Sequence, residues 1–280
     1  SDERGPVGFA FLHHSTVHME LLLSYLATGV FAGLLAGLFG VGGGLIMVPA
    51  LAILLPMQGV APSVTMQIAI GTSLAVISAT SVSSALAHHR RNGVLWPVFR
   101  AMVPGLAIGA LLGAAAAHVL SGDALRRIVG VGALLVAAKM ALELKPGSHG
   151  QLPGRLGMGI AGTVIGCLSA LIGIGGGSLT VPYLSYCRVE MRQAVGTSAA
   201  CGLPIAWAGA LGFVINGWAV EGLPAWSLGY VSLPGFIAIA VASVSCAPLG
   251  ARLAHRLPPQ ILKKAFALLL AVIGLKMLWG

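Results

Sequence analysis

Apolar residues run in long stretches along this chain, at roughly 21–55, 66–87, 98–120, 124–142, 156–187, 194–215, 228–251 and 261–279, parted by short polar links. A helix needs ~20 such residues to cross the hydrocarbon of a bilayer. None of the stretches shows the alternation of apolar and polar positions that marks a membrane β-barrel strand. The pattern predicts an all-α integral membrane protein. Two stretches, 21–55 and 156–187, are too long for one crossing, and each is interrupted by glycines: GLFGVGGGLIMVP at 37–49 and ALIGIGGGSLTVP at 170–182. A hairpin that turns at GxGGG, entering and leaving on one side, accommodates each of them.

Composition strengthens this reading. Of the 280 residues, 57% are hydrophobic and 8% charged, against about 25% charged in a soluble domain. So few charges cannot cover a water-facing surface. The net charge of +9 could suggest a nucleic-acid partner. The Lys and Arg residues sit in short loops, however, where they orient a membrane protein, so no nucleic-acid partner is expected. Cys167, Cys187, Cys201 and Cys246 are scattered in or beside apolar segments without metal-ligand spacing and read as small packing residues. Residues 1–20 are polar, lack the layout of a signal peptide and read as a surface segment.

The chain repeats itself. Gly40 matches Gly173 at an offset of 133 residues, and IGTS at 70–73 matches VGTS at 195–198 at an offset of 125. VPG at 103–105 echoes LPG at 233–235, and the segment 123–142 echoes 260–279. Four landmarks in one order give two halves, 21–142 and 156–280, joined by a polar linker at 143–155 that is expected on the cytoplasmic side. Such duplication is common in secondary transporters.

A hairpin followed by three spanning helices makes an odd number of crossings, so the second half is expected to be inverted relative to the first. Charge agrees. Inversion puts Arg90, Arg91, Lys145, Arg155, Arg188, Arg192, Arg252, Arg256, Lys263 and Lys264 inside, with Arg126 and Arg127 outside. A parallel arrangement moves four of the ten outside, which weakens the positive-inside bias. Both chain ends are then expected on the periplasmic side.

The glycine interruptions suggest chemistry. In hydrocarbon every peptide N–H and C=O needs a partner, so backbone opened at mid-depth must face protein, water or a ligand. Each GxGGG precedes an apolar segment and therefore supplies the N-terminus of a half-helix. Its amides and positive dipole end suit an anion. The GTS triplets are expected to mark two further helix breaks, whose hydroxyls could cap backbone or donate to an oxyanion. Inversion would bring both turns and both triplets to the midplane, where discontinuous helices form transporter sites. The plainer alternative for the glycines is close helix packing.

With these motifs, "GLFGVGGGLIMVPAL" and "ALIGIGGGSLTVPYL", each followed by GTS, the chain resembles the TauE/SafE family of sulfite and sulfonate exporters from about residue 21 to 279. The resemblance implies a bacterial inner-membrane permease for a small sulfur oxyanion or organosulfonate. It carries the family's glycine motifs onto Gly40, Gly42, Gly43, Gly44, Gly173, Gly175, Gly176 and Gly177, and its GTS motifs onto Thr72, Ser73, Thr197 and Ser198. The basic HHRRNG loop at 88–93 departs from this symmetry, because its counterpart NGWAVEGLP at 216–224 is acidic and aromatic.

Among the other polar residues, Arg100 lies two turns into its helix and is a candidate for attracting or contacting the anion; Tyr230 takes its place in the offset-130 register. Lys139 and Lys276, near helix ends, are expected to snorkel to the headgroups. Trp207 is expected to line a cavity or to pack. The acidic residues Asp2, Glu3, Glu20, Asp123, Glu143, Glu190 and Glu221 all map to ends or loops. Coupled carriers often use an intramembrane carboxylate, so its absence points to uniport of an anion driven outward by the membrane potential. A carboxylate or thiosulfate permease, with ion coupling, is the alternative. Catalysis would need a nucleophile with a base or a metal cluster, and neither is evident, so no enzyme and no cofactor are expected. The expected partners are the bilayer and a small anionic substrate.

Overall fold

Residues 22–36, 43–142, 151–254 and 259–279 are described by a computed structural model. They form α1 (Leu22–Ala36), α2 (Gly44–Met57), α3 (Pro62–Arg90), α4 (Trp96–Val119), α5 (Gly122–Ala141), α6 (Arg155–Ile172), α7 (Gly177–Tyr186), α8 (Met191–Gly217), α9 (Leu233–Ala254) and α10 (Pro259–Trp279). A two-residue pair, β1 (Ser227–Leu228) and β2 (Val231–Ser232), is antiparallel and leads into α9. The protein is all-α, as its pattern requires. Among the described residues α3, α4, α6 and α8 are long and apolar enough to cross a membrane. At 1.5 Å per residue α3 is about 44 Å long, more than the hydrocarbon depth. Lys139 and Lys276 fall in the last turns of α5 and α10, where a cation complements the helix dipole.

Both overlong apolar stretches are broken where the glycines stand. The second breaks between α6 and α7. Gly173, at φ +73°, closes α6 in the left-handed conformation, and the Ile174 N–H returns to the Ser169 carbonyl at 3.0 Å. Glycine is the residue that adopts this conformation without cost. The first break lies between α1 and α2, with Gly43 at φ +72° as the N-cap of α2. The prolines of the two VP pairs, Pro49 in α2 and Pro182 in α7, cannot donate to the helix ladder, yet both helices continue past them, to Met57 and Tyr186.

Glycine also governs how the helices meet. Along α4 and α6, Gly105 abuts Gly159, Gly109 abuts Thr163 and Gly113 abuts Cys167, so these two helices run parallel with backbones in contact. α1 packs on α9 in the same sense, Gly29 against Ile239 and Gly33 against Ser243. Small residues that let backbones touch are the usual basis of helix association in lipid.

Two pairs of corresponding helices run the other way. Gly71 of α3 meets Phe213 of α8, Leu74 meets Gly209, and Ser81 meets Gly202. Positions rise along α3 as they fall along α8, so the two are antiparallel. α5 and α10 are antiparallel as well: Gly130 lies against Gly274 and Leu278, and Leu134 against Gly274.

Candidate functional site

The two glycine-rich turns touch. A side chain on Gly44 would collide with the carbonyl oxygen of Gly173, and one on Gly173 would lie 2.6 Å from Val48 of α2. Ile77 of α3 flanks both Gly44 and Gly175. Ser73 Oγ donates to the Gly173 carbonyl at 2.9 Å, and both groups are buried. Ser73 and Ile77 bracket the midpoint of α3, so the turns meet halfway along the longest helix.

Neither half-helix is capped by a side chain. The N-caps of α2 and α7 are Gly43 and Gly176, and no acidic residue lies in either first turn. The leading N–H groups of a helix have no intrahelical acceptor. The uncapped, positive start of α2 thus packs on Gly173, three residues ahead of the equally uncapped start of α7.

The GTS triplets differ from expectation. Thr72 and Ser73 lie inside the continuous α3, and Thr197 and Ser198 inside the continuous α8, so neither triplet is a helix break. Their glycines admit another chain instead. A side chain on Gly71 would strike the Tyr230 carbonyl, and one on Gly196 would strike the Gly93 carbonyl. Their threonines then cap the helix that this chain begins. Thr72 Oγ1 accepts from the Ser232 N–H at 3.0 Å, just ahead of α9, and Thr197 Oγ1 accepts from the Leu95 N–H at 2.9 Å, just ahead of α4. The same arrangement is made twice, with partners 137 residues apart.

That spacing corrects the register of the VPG and LPG echo. Pro104 lies inside α4, whereas Pro234 stands in the first turn of α9, so the true match of LPG is Trp96–Pro97–Val98. Tyr230 therefore corresponds to Gly93 and not to Arg100. A three-residue echo carries too little information to fix a register.

Of the residues singled out from sequence, Gly43, Gly44, Gly173, Gly175, Gly176, Thr72, Ser73, Thr197 and Ser198 are buried, and Gly177 is half-buried. Gly40 and Gly42 lie outside the described residues. Arg100 is exposed on α4, one turn from its N-terminal end, while Met102 and Gly105 of that helix face inward. It is not brought to the turns: a guanidinium on the rim of a helix reaches the headgroup region more cheaply than the interior. Trp207 is likewise exposed, on the outer face of α8. Asp123, Glu190 and Glu221 stand at helix starts or in a loop.

The structure adds residues that the sequence reading passed over. Ser198, Gly202 and Ile205 form the face of α8 that meets Gly176. On the helices that flank this turn, α6, α7 and α8, the hydroxyls of Ser169, Ser178, Thr180 and Ser198 are buried without a hydrogen-bond partner among the described residues. Each such group costs about 1–3 kcal/mol, so several around one turn form an unusual concentration of unmet polarity. The visible signal was a difference between the repeats. Ser169, Ser178 and Thr180 stand where the first motif, 133 residues earlier, has Ala36, Leu45 and Met47.

Helices that span a bilayer, with two interrupted helices meeting among them, define a multi-pass membrane transporter. Comparison with known proteins agrees. The family described as "Sulfite exporter TauE/SafE" matches residues 25–277, and the chain belongs to that family. It is 36% identical over 259 residues to a probable membrane transporter protein of Haemophilus influenzae, covering 91% of this chain and 97% of the relative. A probable membrane transporter protein of Xylella fastidiosa is 30% identical over 274 residues, covering 93% and 96%. One of Methanocaldococcus jannaschii is 27% identical over 260 residues, covering 92% and 96%. No solved structure matches the chain.

Proposed function

We propose that the protein exports a small sulfur-containing oxyanion, such as sulfite or an organosulfonate, across the bacterial inner membrane. The observation that carries this reading is the contact, at the middle of α3, between Gly44 at the uncapped start of α2 and Gly173 in the turn that leads into the uncapped start of α7. Amide donors and positive helix ends in a dry interior suit a guest that only accepts hydrogen bonds and bears negative charge. Family membership supports the sulfur chemistry.

The reading includes an inverted arrangement of the halves 21–142 and 156–280, with both chain ends periplasmic. The antiparallel packing of α3 on α8 and of α5 on α10 supports it, since each pair joins corresponding helices. Transport is uniport. An inside-negative potential contributes about 2.3 kcal/mol per elementary charge per 100 mV towards expelling an anion.

The test is efflux of labelled sulfite from proteoliposomes under imposed potential and pH gradients. Flux that follows the potential and saturates with sulfite is expected. Flux that needs a pH gradient at zero potential overturns uniport. Transport of acetate in place of sulfite and sulfoacetate overturns the assigned substrate class.

A further inference from the structure

The two glycine-rich motifs share their glycines but not the residues around them. Around the second turn, hydroxyls come from three helices: Ser169 from the last turn of α6, Ser178 and Thr180 from the first turn of α7, and Ser198 from α8. Ser169 and Thr180 are 0% exposed and Ser198 is 1% exposed, yet none of their hydroxyls has a partner among the described residues. Thr180 lies one helical turn beyond Gly176, and its N–H bonds the Gly176 carbonyl at 2.9 Å. It therefore shares the face of α7 that Gly176 turns towards Ser198 and Gly202 of α8. At the corresponding places the first motif has Ala36, Leu45 and Met47, and Leu45 and Met47 are buried in the apolar core. Ser73, the counterpart of Ser198, already has its bond to Gly173.

A satisfied hydroxyl holds a fold together, whereas a cluster of unsatisfied ones beside an uncapped helix start awaits an acceptor. We propose that Thr180 and Ser198, with the leading amides of α7, are the oxyanion subsite, so that the substrate is held by the second turn while the first closes it with apolar side chains. The assignment rests on the exporter reading above. Hydroxyls and amides donate to oxygen atoms in several directions, which suits a compact oxyanion with oxygens spread about one centre rather than a planar carboxylate. With no charged side chain in the set, binding is weak enough for release on the far side.

The test compares sulfite efflux by wild type with that by Thr180→Val, Ser198→Ala and Thr180→Ser. Thr180→Val keeps the side chain's shape and removes only the hydroxyl. The KM for sulfite is expected to rise at least about tenfold in Thr180→Val and Ser198→Ala at similar maximal rate, since each removes one donor to a charged ligand. Thr180→Ser restores it. Sulfite is also expected to raise the melting temperature of the purified wild type but not of Thr180→Val. Wild-type export with unchanged KM in both donor variants overturns the subsite and leaves the exporter reading standing. A wild type that neither exports sulfite nor is stabilised by it overturns both.

Discussion

Ser73 and Gly173 lie 100 residues apart in sequence, and a 2.9 Å hydrogen bond from the serine hydroxyl to the glycine carbonyl joins them. It fastens the middle of one spanning helix to the turn at the end of another, so the position of the second turn is set from the first half of the chain.

Ser73→Ala removes that donor and leaves a buried carbonyl unpaired, a loss of about 1–3 kcal/mol. A lower melting temperature is expected in detergent, together with reduced sulfite flux. Ser73→Thr, which keeps a hydroxyl, should lose less of both. An unchanged melting temperature in Ser73→Ala would show that the bond does not hold the turn.

Gly43→Leu and Gly176→Leu should each abolish transport while the protein still inserts in the membrane. Gly43 has φ +72°, where a branched side chain is strained, and a side chain on Gly176 would press 3.1 Å from the Gly202 nitrogen. Fluorescence size-exclusion chromatography checks insertion and folding, and vesicle flux checks activity. Wild-type flux in both variants would mean that these glycines serve packing alone.

Thr72→Val and Thr197→Val each strip the acceptor from a helix-start N–H, that of Ser232 and that of Leu95. Each should cost about 1–3 kcal/mol. The two sites share no partner, so the double variant should show the sum of the single losses. A large departure from additivity would mean that the two caps communicate.

Asn92 and Glu221 fall in the loops that follow α3 and α8. With inverted halves the two loops face opposite sides of the membrane. With the four native cysteines replaced, Glu221→Cys should react with a membrane-impermeant maleimide on intact spheroplasts, and Asn92→Cys only after permeabilisation. Equal labelling of the two from outside would exclude inversion.

Much of the architecture was legible because glycine and proline are conspicuous in oily sequence. The break after Ile172 and the start of α2 at Gly44 both follow from residues that cannot continue a helix in lipid. The GTS triplets were legible as special but not in their role. Gly71 and Gly196 make room for Tyr230 and Gly93, and nothing in the local sequence names a visitor from the other half of the chain. Arg100 shows the reverse difficulty: its depth along α4 could be counted, but its outward facing depends on which side α6 and α8 pack against. Ser169, Ser178 and Thr180 went unremarked because serine and threonine are common in membrane helices. Only their lack of partners, together with Ala36, Leu45 and Met47 at the matching places, sets them apart.

The exchanged threonine caps bear on how such a chain could arise. A polypeptide of half the length would carry one threonine with no amide to receive and one helix start with no cap. A second copy lying upside down beside it would supply both at once. Gene fusion of such a homodimer needs no new contact, only a tether, and it frees the two copies to diverge: one turn can keep its hydroxyls while the other fills with oil.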